Sequence, residues 1–204
     1  MKKFNIDVSS MDITPEEKEW ADSIVFSKSA TALKESIEDY AQYVPPLEKK
    51  LSEKVAAINY LKLQDRSNLK ILDIGTGCGH FPQLCNSLGH SATGTEIPES
   101  ILTLNSLHQI YNLEVFELTI ERQKYFKLPQ KYNLITLFRT VFDHNWDFED
   151  WKFLKENLSD FLEPGGEIFL KTNIKAIPNI ETCIEPTFGT RLPGWNSLTF
   201  HYKL

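Results

Sequence analysis

The spacing of hydrophobic residues changes near Leu69, and that change divides the chain into two textures. Before it, apolar positions recur at three- and four-residue steps. Trp20, Ile24 and Val25 share a face behind Thr14-Pro15-Glu16-Glu17, which places a capping residue, proline at the first helical position and glutamate at the third. This predicts a helix near 15–26. Leu33, Ile37, Tyr40, Ala41 and Val44 predict a second helix, which Pro45-Pro46 must end. Leu47, Leu51, Val55, Ile58 and Leu61 form the cleanest stripe and predict a third, with Glu48, Lys49, Lys50, Glu53 and Lys54 on a solvated side. Residues 1–10 show no periodicity.

After Leu69, short apolar runs alternate with helical patterns. Strands are predicted at 70–74, 91–95 (ending in Glu96), 113–118, 132–138 and 167–171. Between them lie a helix from Phe81 to Leu88, closed by Gly89, and one opened by Pro98 with Ile101, Leu104, Leu107 and Tyr111 on one side. A helix from about 148 to 162 turns Trp151, Leu154, Leu158 and Phe161 inward, and Glu163-Pro-Gly-Gly166 is expected as a turn. This repetition predicts an α/β fold: a doubly wound, mainly parallel, Rossmann-like sheet with a ligand crevice at the carboxyl ends of its strands. Beyond Lys171, Pro178, Pro186 and Pro193 interrupt the pattern, and only 197–203 again reads as a strand. One domain is expected over 1–204, with 1–68 as an N-terminal helical extension and 69–204 as a cofactor-binding α/β core.

Composition narrows the function classes. With 204 residues, 41% of them hydrophobic, the chain can bury one sizeable core. Its net charge of −6 argues against an electrostatic grip on nucleic acid or anionic membrane. Cys78, Cys85 and Cys183 have no Cys-x-x-Cys spacing, so neither a disulfide framework nor a metal site is expected. Met1-Lys-Lys-Phe leads into no apolar stretch, and no run approaches a membrane span, so a cytoplasmic protein is expected. Oligomeric state is left open.

The chemistry concentrates in Lys70-Ile-Leu-Asp-Ile-Gly-Thr-Gly-Cys-Gly-His80, a strand, a tight turn with Gly75, Gly77 and Gly79, and the start of a helix. Glycines there permit a sharp turn and close approach of a ligand, and the helix offers free N–H groups to an anion. Together with Glu96 and Leu162-Glu-Pro-Gly-Gly166, this stretch resembles the class I S-adenosylmethionine-dependent methyltransferases over roughly residues 69–172. The resemblance implies that Asp73, Gly75, Thr76, Gly77 and Gly79 cradle S-adenosylmethionine, that Glu96, with Ile97 beside it, holds the ribose hydroxyls, and that Thr119 and Ile120 border the adenine. Phe138, closing the fourth strand, completes the expected cofactor set. Asn133 stands where many members have aspartate, and the aspartate/asparagine-Pro-Pro-aromatic motif of enzymes that methylate DNA bases is absent.

Two of these acids carry alternative roles. Asp73 either meets ligand or accepts N–H bonds from the turn, and Glu96 either holds a ribose diol or caps the next helix. Cys78 is expected as a buried bystander and His80 as a surface or packing residue. The segment Arg139-Thr-Val-Phe-Asp-His-Asn145 leaves the fourth strand at the crevice. His144 is the candidate base there, with Asp143 or Arg139 orienting the acceptor; the alternative is a loop that caps the following helix. A small-molecule or sugar acceptor is expected, with no nucleic-acid or membrane partner. Two other readings stay open: an NAD(P)- or flavin-dependent oxidoreductase, whose third glycine would fall at His80 and not Gly79, and a non-catalytic cofactor-binding regulatory or partner protein. Trp20, Phe26, Tyr40 and Tyr43 suit either a lid over the crevice or packing against the sheet's helices.

Overall fold

Among the residues that the structure, a computed structural model, describes (13–36, 48–140, 146–172, 180–189, 191–192 and 198–204), six strands form one sheet. They are β1 (Lys70–Ile74), β2 (Ser91–Glu96), β3 (Val115–Glu117), β4 (Tyr132–Phe138), β5 (Leu162–Thr172) and β6 (Leu198–Lys203), in the order β3-β2-β1-β4-β5-β6. All pairings are parallel except that of β6, which runs antiparallel to β5. The chain walks outward from β1 to β3 and then returns to β4, so the order reverses between β1 and β4. A crevice opens at the carboxyl ends of strands where such a reversal occurs.

Alternation along the strands sends side chains to two apolar clusters. Leu72, Ile135, Leu137, Ile168 and Leu170 join Trp151, Leu154, Leu158 and Phe188 on one face. Ile71, Leu134 and Phe169 join Ala21, Val25, Leu51, Val55, Ile58, Phe81 and Leu84 on the other. Parallel strands covered on both faces read as near-continuous apolar runs, which is the texture of 70–74 and 132–138.

Helices α1 (Pro15–Ser36), α2 (Glu48–Tyr60), α3 (His80–Ser87), α4 (Pro98–Tyr111) and α5 (Phe148–Ser159) cover the sheet, with two short turns of helix, α6 (Ile180–Cys183) and α7 (Glu185–Phe188). The cap expected at Thr14 forms: the Thr14 hydroxyl accepts from Glu17 N–H at 3.2 Å, and Glu17 accepts from Thr14 N–H at 2.7 Å. Glu17 also accepts from Asn59 Nδ2 at 3.0 Å, which ties the start of α1 to the end of α2. The helix predicted to end near 26 runs on to Ser36, because 27–32 contains no glycine or proline to stop it. The remainder of the predicted second helix lies outside the described residues.

Two further expectations change. Glu53, read as part of a solvated face, is 5% exposed, and Lys54 is half-buried. Both meet the edge of the sheet, as shown below. The turn expected at 163–166 is absorbed into β5: Leu162 already pairs with Tyr132, and the register shifts before Leu134 meets Glu167. Gly165, at φ +73°, accommodates the irregularity. Strand β6 is anchored through Glu167, which His201 Nε2 approaches at 2.8 Å and Arg66 and Lys203 at 3.3 and 3.4 Å. No described helix is long and apolar enough to cross a membrane.

Trp151 is fully buried, with Trp146 and Phe188 meeting it edge-on at centroid distances of 5.3 and 6.3 Å. Trp151→Ala leaves a cavity that this cluster cannot close, so a loss of about 3–5 kcal/mol is expected in denaturant unfolding. A loss under about 1 kcal/mol would show that α5 does not depend on this contact.

Candidate functional site

The site begins with a carboxylate inside an apolar strand. Asp73 is 1% exposed, and its two oxygens accept the hydroxyls of Thr136 at 2.7 Å and Thr76 at 2.9 Å. Burial pushes its carboxyl above the usual range, opposed by the charge of Lys54 and by these two hydrogen bonds. Asp73 thus bonds the turn through the Thr76 hydroxyl, whereas the turn-bonding alternative for it invokes backbone N–H groups. Thr76 N–H in turn donates to Thr95 O at 3.0 Å, and Thr140 Oγ1 donates to Ile74 O at 3.0 Å.

The three glycines of the turn all have left-handed φ, +67°, +58° and +78°, but they meet different surroundings. A Cβ on Gly75 would lie 2.9 Å from Thr140 Cγ2, and one on Gly79 would collide with the Leu113 side chain. One on Gly77 would meet nothing within 4 Å. Packing therefore accounts for Gly75 and Gly79, whereas Gly77 borders open space. Its peptide is held from both sides: the N–H donates to Glu96 Oε1, and the carbonyl lies 2.8 Å from His108 Nε2 on α4.

Glu96, 9% exposed at the carboxyl end of β2, makes this contact and not a helix cap; the residue capping α4 is Ile97, with no side-chain bond. A carboxylate has about four lone-pair positions, so one N–H leaves acceptor capacity for a diol. Ile97 beside it is 44% exposed. Thr119 is exposed, and Ile120 is half-buried against the first cluster. The Phe138 ring packs against Phe81 at 4.8 Å and Phe169 at 5.7 Å, so its side chain joins the second cluster. His80 is buried, edge-on to Tyr111 at 6.1 Å, and Cys78 is a buried cysteine outside any disulfide.

At the ends of β4 and β5 the structure assembles a charged group of which sequence reasoning singled out only Arg139. Glu53 of α2 pairs with the Arg139 guanidinium and lies 3.3 Å from Lys171 Nζ. Arg139 itself is left-handed, at φ +53°, and its N–H donates to Lys171 O at 2.6 Å. Lys171 is fully buried, and desolvation, opposed by Glu53, lowers its amine to about 8. Lys54, one residue beyond Glu53, places its ammonium 4.6 Å from the centre of the Phe138 ring. The one legible signal was a lysine closing the otherwise apolar run Ile168-Phe-Leu-Lys171. Of the candidate catalytic residues, Asp143 and His144 lie outside the described residues, and Arg139 is drawn into the Glu53 pair. No group of residues suited to a metal ion occurs among the described residues.

The profile of a methyltransferase-domain family matches residues 40–182, more than half of the chain. No curated protein matches. Among solved structures, the T. thermophilus 16S rRNA methyltransferase RsmC, in complex with AdoMet and guanosine, aligns with a TM-score of 0.57 at 19% identity, over 81% of this chain and 44% of that one. A ribosomal protein L11 methylase from Lactobacillus delbrueckii subsp. bulgaricus aligns with a TM-score of 0.50 at 15% identity, over 73% and 78%. At these identities the likeness is one of fold. The chain spans about half the length of the first solved structures it resembles.

The Lys171 amine generates a pH test. Its folded value, about 8, lies below the ordinary 10.5, so between these pH values the unfolded chain holds a proton that the folded chain has lost. Stability therefore rises with pH across this window, the full penalty being present below pH 8. Compared with Lys171→Met, the wild-type chain should gain on the order of 3 kcal/mol between pH 7.5 and 10.5 in denaturant unfolding. Parallel curves for the two proteins would show that the amine is not desolvated.

Proposed function

Because this chain belongs to the S-adenosylmethionine-dependent methyltransferases, we propose that it binds S-adenosylmethionine across the Gly75–Gly79 turn and transfers the methyl group to a small-molecule or sugar acceptor. The observation that carries the reading is Gly77, left-handed, open on its free side and held beside the Glu96 carboxylate. Glu96, with Ile97 beside it, accepts the ribose hydroxyls, while Thr119 and Ile120 border the adenine. When bound, the cofactor supplies an electrophilic methyl on a sulfonium. What the chain must add is alignment of the acceptor and exclusion of water. His144 serves as base where the acceptor is a hydroxyl or ammonium, with Asp143 or Arg139 orienting it.

A small acceptor is favoured by the net charge of −6 and by the absence of a basic run along the sequence. RsmC is named for ribosomal RNA and the L11 methylase for a ribosomal protein, so RNA and protein acceptors belong in the same panel of trials. The first test is a thermal shift with S-adenosylmethionine, S-adenosylhomocysteine, NAD(P) and flavin nucleotides, followed by release of S-adenosylhomocysteine with each acceptor class. Stabilisation by dinucleotides alone would sink the reading, and cofactor binding without turnover on any acceptor would favour a non-catalytic partner.

Two sets of variants separate binding from chemistry. Gly77→Val forces a β-branched residue into left-handed φ and fills the open side, so cofactor binding should vanish while far-ultraviolet circular dichroism is retained. Glu96→Gln can still accept from Gly77 N–H, so its expected loss of about 1–3 kcal/mol in calorimetry reports the ligand. An unchanged dissociation constant in either variant would remove that residue from the cofactor site. His144→Asn should lower turnover by on the order of a hundredfold with cofactor affinity nearly constant. Wild-type turnover in that variant would leave alignment as the source of rate.

A further inference from the structure

Between β3 and β4 the chain runs from Leu118 to Lys131 with no helix or strand of its own, so contacts with other elements decide where it lies. Helix α5 supplies them. Two polar side chains on one face of it, Asp150 and Asn157, are buried, and they spend hydrogen bonds on this loop. Asn157 accepts from Phe126 N–H at 3.1 Å and donates to Phe126 O at 3.2 Å. Asp150 Oδ1 accepts from Gln123 Nε2 at 2.8 Å, and its Oδ2 takes the Arg122 guanidinium at 2.7 Å. Gln123 is left-handed, at φ +49°, a backbone state that a non-glycine residue keeps only where its surroundings fix it. Where the loop leaves β3, Leu118 N–H donates to Glu96 O at 3.0 Å. Thr119 and Ile120 therefore lie between two anchors, one on the acid that ends β2 and one on α5.

We infer that Asp150, acting through Arg122 and Gln123, is a positioning residue for the base of the cofactor: it sets where Thr119 and Ile120 stand relative to Glu96. The inference rests on the reading above, in which those two residues border the adenine. An exposed loop that became ordered only when a ligand arrived would subtract its ordering cost from the affinity, and a loop fixed beforehand does not. Asp150 is suited to fix it. Its carboxylate is wholly shielded from water, so the Arg122 and Gln123 donors offset a desolvation that no solvent contact relieves. The same carboxylate accepts from Asp147 N–H at 2.9 Å, and Arg122 also reaches Asp147 at 3.2 Å. One group thus holds both the loop and the start of α5. Arg122 and Gln123 are themselves exposed, so replacing either leaves the apolar clusters untouched.

Calorimetry on the full chain, with ligand-observed NMR for the weaker probe, compares S-adenosylhomocysteine with S-ribosylhomocysteine, which keeps the ribose and the amino-acid tail but lacks the base. Arg122→Met and Gln123→Ala should each weaken S-adenosylhomocysteine by about tenfold and leave S-ribosylhomocysteine within about twofold. Arg122→Lys, which keeps a cation for Asp150, should retain most of the affinity. Melting midpoints measured alongside establish that the variants are folded. Unchanged binding of S-adenosylhomocysteine by either Arg122→Met or Gln123→Ala overturns the inference while the cofactor reading stands. So does an equal loss on both probes, which would mark these contacts as a general support for the crevice and not as a means of placing the base. A wild-type chain that binds neither probe overturns both.

Discussion

The buried carboxylate of Asp73 is the contact on which the site depends. It belongs to β1, receives one hydroxyl from the glycine turn and another from β4, and so joins the three pieces of backbone that meet where the strand order reverses. In a low-dielectric interior such a group is costly unless its acceptors are used, and here two short hydrogen bonds use them. The turn that follows is consequently placed relative to both strands. Within it, Gly75 and Gly79 are confined by Thr140 and Leu113, and the freedom left at Gly77 faces outward. A rigid support with one open position is what preorganised binding of a ligand requires.

The edge of the sheet adds a second constraint, of charge. Arg139 and Lys171 stand at the ends of neighbouring strands and share one carboxylate, which comes from a helix preceding the sheet in sequence. Removing Lys171 from water is unfavourable, and Glu53 offsets part of that cost while drawing α2 toward the crevice. The N-terminal segment therefore plays two parts. α1 packs through Ala21 and Val25 into the second apolar cluster, and Tyr111 Oη donates to Val25 O at 3.2 Å. α2 also packs, through Leu51, Val55 and Ile58, but its Glu53 and Lys54 reach the site. Of the aromatics that suit either a lid or packing, Trp20 packs against the second apolar cluster, while the Phe26 side chain, Tyr40 and Tyr43 lie outside the described residues.

Much of this was legible along the chain. The runs 70–74 and 132–138 coincide with β1 and β4, and Pro98 opens α4. Local chemistry decides such elements: apolar runs flanked by turn residues, proline at a first helical turn, and a Thr14 to Glu17 cap specified within four residues. The glycine turn and the acid closing β2 were visible for the same reason, since their spacing is a property of the sequence itself. What tertiary structure alone decided is how groups far apart in sequence share charge and space. Glu53 sat on the polar side of an amphipathic stripe, and nothing local distinguishes a face that meets water from one that meets Arg139 and Lys171, 86 and 118 positions further on. Glu96 could have capped a helix until β2 and the turn were brought side by side, and only then did its carboxylate find Gly77 N–H. Short-range steric and hydrogen-bonding preferences set the elements, while desolvation makes each buried charge depend on partners that only the assembled sheet supplies.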